Sequence, residues 1–146
     1  MQLNEMEGFL PSLNKENLAV SAVNVGWHIS HSLKVINNIL QRLENSDPAK
    51  FKKQFSFLRL SIFLFGRIPR GKAQAPSAVL PDKEIDASRL AGEIALTREN
   101  ILKLNDLPKK AFYAHHYFGN LDRNQTVKFL TIHTQHHLKI IRSILY

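Results

Sequence analysis

Hydrophobic residues recur along the chain at the three- and four-residue intervals of α-helices, and no stretch shows the sustained alternation of a half-buried strand. A short helix is predicted over residues 3–13. A stronger pattern begins at Val25, where Asn24 is suited to cap the first turn, and ends near Asn45. These two segments predict a long helix preceded by a short one.

A further helix is predicted to begin at Pro48, directly after the capping residue Asp47, and to end at Gly66. Its apolar residues follow heptad-like spacing, which is more typical of core packing than of a dimer face. They are Phe51, Phe55, Leu58, Ile62 and Phe65.

The second half of the chain predicts two more helices. One covers about Glu84 to Leu104, and the last runs from Asp122 to the C-terminus, with Gln125 completing a capping-box pattern. Residues 66–83 contain three prolines and little periodicity, so we expect a long loop there that forms a wall of the functional site. The pattern as a whole predicts an all-α fold in a single domain spanning residues 1–146.

Composition excludes several classes of site. The chain has 146 residues, is 44% hydrophobic and has no cysteine, so it can bury a core but has no disulfide, thiolate ligand or cysteine nucleophile. A cytoplasmic location is expected. The net charge of +8 comes from basic residues in every segment, concentrated only at Arg67, Arg70 and Lys72. This dispersal favours a solvated basic surface over a nucleic-acid site.

No membrane segment is expected. The N-terminus, MQLNEMEGFL, is acidic where a signal peptide would be basic. The most apolar run, residues 57–66, contains Arg59 and is well short of the roughly 18 residues that cross a bilayer.

Two histidines lie at the centre of the apolar face of the last predicted helix. His133 and His137 are four residues apart, so their rings stack one turn above the other, while His136 lies at the edge of that face. This spacing allows two ring nitrogens to reach one metal ion, as in helical zinc sites. Two core histidines hydrogen-bonded to backbone or water are the alternative.

The third ligand is expected from the segment VGWHISHSL, which contains His28 and His31. A helical projection favours His28, because it lies on the flank of the apolar face, whereas His31 lies further out beside Trp27. His115 and His116 fall in a predicted loop and are poorer ligand candidates.

Three segments, VGWHISHSL, HHYFGNL and IHTQHHLKII, resemble the DinB/YfiT-like superfamily of metal-binding four-helix bundles, in a branch of uncharacterised function. HHYFGNL is similar to a His-Pro-x-Phe-Gly-x-Leu stretch of that branch, with His116 in place of the proline. Related members have a Trp-x-x-x-His pattern that falls on Trp27 and His31. On this resemblance His31 is preferred to His28.

The resemblance implies a four-helix bundle with a short extra N-terminal helix, in which His31, His133 and His137 hold one nickel, zinc or iron ion. Three histidines leave coordination positions open, as in catalytic sites. The resemblance also implies a metal-dependent transferase acting on a low-molecular-weight thiol, or a hydrolase.

The inward face beside the histidine pair has no carboxylate, which disfavours a hydrolase with a glutamate base. The sequence identifies no catalytic residue. Trp27, His28 and Tyr117 are candidates to line the pocket. The alternative is a non-catalytic metal-binding or structural module that forms a homodimer.

Overall fold

The structure is a computed structural model that describes residues 2–70, 79–81 and 85–146. Within these ranges the chain forms five α-helices and two β-strands. The helices are α1 (Gln2–Gly8), α2 (Val25–Glu44), α3 (Phe57–Phe65), α4 (Ala87–Lys103) and α5 (Arg123–Leu145), and the strands are β1 (Phe112–His115) and β2 (Gly119–Asp122).

The two strands overturn the predicted all-α four-helix bundle. β1 and β2 form an antiparallel hairpin in which Phe112 lies opposite Asp122 and His115 lies opposite Gly119. Each strand has only four residues, which is too short to show a period-two pattern in the sequence. The prediction of a purely helical bundle is therefore wrong.

The two longest helices begin at their predicted caps. The side chain of Asn24 accepts a hydrogen bond from the backbone N–H of Trp27 at the start of α2. At the start of α5, Asp122 and Gln125 form the complete capping box. Because such caps satisfy backbone groups that the helix itself leaves unpaired, they fix the first residue of each helix.

The helix predicted from Pro48 is wrong in its first half. Pro48–Lys50 form one 3-10 turn, residues 51–56 are not helical, and α3 begins only at Phe57, where Ser56 caps the backbone N–H of Arg59. Gly66 ends the helix as predicted, in the left-handed conformation with φ of 61°. Of the residues predicted to pack in the core, Ile62 is buried, whereas Phe55, Leu58 and Phe65 are exposed.

The fourth predicted helix is confirmed in outline as α4, with Leu90 and Ile94 buried. Most of the predicted long loop, residues 71–78 and 82–84, lies outside the described residues, as does Lys72. The remainder of that segment, residues 66–70 and 79–81, contains no α-helix or strand.

A buried arginine joins α3 to the hairpin. The Arg59 guanidinium donates hydrogen bonds to the backbone carbonyls of Phe118 (2.9 Å), Asn120 (3.3 Å) and Gln54. Since a buried cation needs partners for its donors, these carbonyls take the role that a carboxylate would otherwise have. Gly119, with φ of 71°, adopts a backbone conformation that favours glycine in the turn of this hairpin.

Helix α2 packs against both α4 and α5 and forms the centre of the fold. Two hydrophobic clusters fill the core. On α5, the residues 129–132 belong to one cluster and the residues 138–144 to the other. The histidine-rich turn of α5 therefore lies between them. Within the described residues, every helix is too short or too polar to span a membrane.

Candidate metal centre

His31 of α2 and His133 and His137 of α5 meet in the interior of the protein. Each offers one ligand atom, and the three atoms lie within 4.8 Å of one another. The ring centroids are 4.6 Å apart for His133 and His137, 4.8 Å for His31 and His137, and 5.3 Å for His31 and His133. The structure thus brings together the three residues that the sequence and its resemblance single out.

The helical backbone brings these rings to one side of α5. His133 and His137 are one turn apart on α5, so both project from the same side of the helix. That side faces α2, which packs closely against α5 and contributes His31. The site is therefore built on two long helices, which hold ligands more rigidly than loops do.

His31 has a defined tautomer and orientation. Its Nδ1 lies 2.9 Å from the backbone carbonyl of Val79, which can only accept a hydrogen bond, so Nδ1 carries the proton. The lone pair of the neutral ring is then on Nε2. The indole of Trp27 stacks on the same ring at 4.8 Å, with an angle of 14° between the planes. Val79 belongs to the segment predicted to form a loop beside the site, and this residue contacts His31.

The ring of His28 contacts the ring of His137. Their Nδ1 atoms are 2.9 Å apart, and the Nε2 of His28 lies 3.0 Å from the hydroxyl oxygen of Ser21. If His137 donates from Nδ1, His28 accepts at Nδ1 and donates from Nε2 to Ser21. This order leaves the Nε2 lone pair of His137 free. Hydrogen bonds of this kind fix the tautomer of a metal-binding histidine and make its free nitrogen more basic.

His133 differs from the other two because its ring forms no hydrogen bond within the described residues. Its Nδ1 is fully buried and has no partner. A buried polar atom without a partner costs about 1–3 kcal/mol, so this ring nitrogen requires an explanation. A metal ion is a partner that an imidazole lone pair can satisfy.

Burial keeps the histidines neutral. It is the largest cause of the lowered pKa of His133, to about 3, and of His28, to about 4, with neighbouring histidines adding to both shifts. It also lowers the pKa of His137 and His31, although the bond to Val79 acts in the opposite direction on His31. Only the neutral imidazole binds metal, so the site is ready to ligate at neutral pH.

The three histidines fit a small divalent cation. Bonds of about 2.1 Å in a tetrahedral site place ligand nitrogens about 3.4 Å apart, so small side-chain rotations would close the observed cluster around an ion. Among the described residues the group contains histidines and no carboxylate. This ligand set suits zinc, nickel or iron better than calcium or magnesium.

Other predicted residues lie elsewhere. His115 caps the hairpin turn, where its Nδ1 accepts hydrogen bonds from the backbone of Tyr117 and Phe118. His116 is exposed and stacks on His115. The ring of Tyr117 contacts these two histidines, so it belongs to the hairpin. Sequence reasoning missed Ser21 and Val79, since neither has a local pattern that indicates its contact with a histidine.

Comparisons with known proteins give no relative: no family model matches the chain, and no curated protein or solved structure matches it. The resemblance to the DinB/YfiT-like superfamily stays a prediction.

Proposed function

We propose that the protein binds one divalent metal ion, nickel, zinc or iron, through His31, His133 and His137. The observation that carries the proposal is the meeting of three ligand atoms within 4.8 Å in the interior. The unpartnered Nδ1 of His133 and the neutral state of the rings support it. Metal binding would satisfy a polar site that packing alone leaves incomplete.

We further propose that the site is catalytic. Among the described residues no fourth protein ligand joins the cluster, and three protein ligands leave room for water or a substrate atom. A divalent ion there supplies Lewis acidity, which makes a nearby thiol or water more acidic. The reaction classes that fit are transfer to a low-molecular-weight thiol, which the resemblance of the motifs supports, and hydrolysis.

Neighbouring residues would orient the histidine ligands of the metal. Val79 and His28 set the rings of His31 and His137, and Trp27 covers one face of His31. A non-catalytic metal module is the second candidate. It is favoured less, because a closed structural site has four protein ligands.

The proposal is tested by measuring metal content. Protein purified without added metal and without a histidine tag is analysed by mass spectrometry of the elements, with about one ion expected per chain. The variant His133→Ala, His137→Ala should contain none. His116→Ala is the matched control, because it removes an exposed histidine on the hairpin. Equal metal content in wild type and the double variant would overturn the proposal.

A further inference from the structure

A pocket of about 460 Å³ lies beside the histidine cluster, between the end of α3 and the middle of α5. Three of its lining residues are cations, Arg67, Arg70 and Lys139, and His136 forms part of the same wall. Gly66 and Ile68 also line the pocket. No carboxylate is among the lining residues that the structure describes.

These cations have no acidic partner among the residues that the structure describes. Within the described part of the chain, none of Arg67, Arg70 and Lys139 forms an ion pair. Arg70 is tied to α5 by a bond from its guanidinium to the hydroxyl of Ser143 at 3.4 Å. Unpaired cations around a concave surface focus positive potential inside it. This arrangement is more typical of an anion-binding site than of a basic surface that only contacts solvent.

The pocket adjoins the proposed metal centre. His136 lines the pocket, and its ring centroid is 5.2 Å from that of His137. His136 thus links the pocket wall to the histidine cluster, whereas His31, His133 and His137 are not among the lining residues that the structure describes.

We propose that this pocket binds an anionic group, a carboxylate or a phosphate, on the small molecule that meets the metal at the three histidines. Arg67 and Arg70 would hold the anion by charge-assisted hydrogen bonds, and Lys139 would add a third positive charge from α5. The inference rests on the proposed function, because it names the substrate class of that site. It also assigns a role to Arg67 and Arg70, two of the basic residues that the sequence concentrates in this segment.

Binding of inorganic phosphate and of acetate tests the pocket. Each anion is titrated into metal-free and metal-loaded protein, and binding is followed by calorimetry and by the NMR signals of the pocket residues. The variant Arg67→Gln, Arg70→Gln should weaken binding by roughly tenfold or more in both forms. Lys109→Gln is the control, since it removes one positive charge at an exposed position outside the pocket.

The outcomes separate the two proposals. Tighter binding of phosphate identifies a phosphate group, and tighter binding of acetate identifies a carboxylate. If neither anion binds saturably, or if wild type and the double arginine variant bind with equal affinity, the anion-binding proposal is wrong. The metal-site proposal is unaffected by either result. Arginine-dependent anion binding in a protein that takes up no metal would overturn the metal function and leave the anion site standing.

Discussion

The two histidines of the HISH segment have different contacts, and this difference predicts opposite results for two similar variants. His31→Ala removes a proposed ligand, so the protein should no longer retain the metal. His28→Ala removes the partner of His137 behind the site, where the two Nδ1 atoms are 2.9 Å apart. This second variant should still bind the ion, with lower affinity.

The size of the His28 effect follows from what the substitution leaves behind. The Nδ1 of His137 would lose its hydrogen-bond partner in a buried position, which costs about 1–3 kcal/mol. Loss of such an outer partner typically weakens metal affinity about 10- to 100-fold, or about 1.4–2.7 kcal/mol. Ser21→Ala, which removes only the hydroxyl that holds His28, should weaken it by less than about tenfold.

Affinity is measured by titrating zinc into metal-free protein against a coloured chelator, for wild type and the three variants. Melting temperatures of the metal-free proteins show whether each variant folds. Metal loss in His28→Ala together with full retention in His31→Ala would reverse the assignment. Unchanged affinity in His28→Ala would refute the argument that His28 positions His137.

Three further results are expected. Burial lowers the pKa of His28 to about 4 and of His133 to about 3, so the metal-free folded chain binds fewer protons than the unfolded chain. Its free energy of unfolding should fall as the pH drops from about 6.5 toward 4, by about 1.4 kcal/mol per pH unit for each ring; urea unfolding that is unchanged between about pH 7 and pH 5 would contradict this. Arg59→Met leaves three backbone carbonyls without their donor and should cost about 1–3 kcal/mol in urea unfolding, whereas the exposed control Lys53→Met should change it by less than about 0.5 kcal/mol. The predicted homodimer should use the exposed apolar side of α3, so Leu64→Glu should yield monomer in light scattering without loss of stability, and a monomeric wild type would rule the dimer out.

Helix ends were predictable from the sequence because their causes are local. Asn24, Asp122 and Gly66 each act on backbone groups within a few residues, and the structure uses all three as expected. The histidine pair of α5 was predictable for the same reason, since four-residue spacing on a helix fixes which side chains share a face. Nothing beyond the helix itself enters either argument.

The hairpin and the start of α3 depend on contacts distant in sequence. The side chain of Gln54 accepts a hydrogen bond from the backbone N–H of Asn120 at 2.8 Å, and Arg59 reaches the carbonyl of Phe118. Residues 51–56 therefore run alongside the hairpin instead of continuing the turn that begins at Pro48. The heptad-like spacing of the apolar residues does not reflect these bonds, so it predicted a helix that starts too early and a core that includes the exposed Phe55 and Phe65.

The choice between His28 and His31 shows where a helical projection stops being informative. A projection assumes one buried side, but the first half of α2 is buried almost all round, including Ser30 and Ser32 between its apolar residues. Both histidines are buried to the same extent, at 4% exposure, so burial cannot rank them. What separates them is their contacts: His28 approaches the Nδ1 of His137, whereas His31 belongs to the group of three histidines whose ligand atoms lie within 4.8 Å of one another.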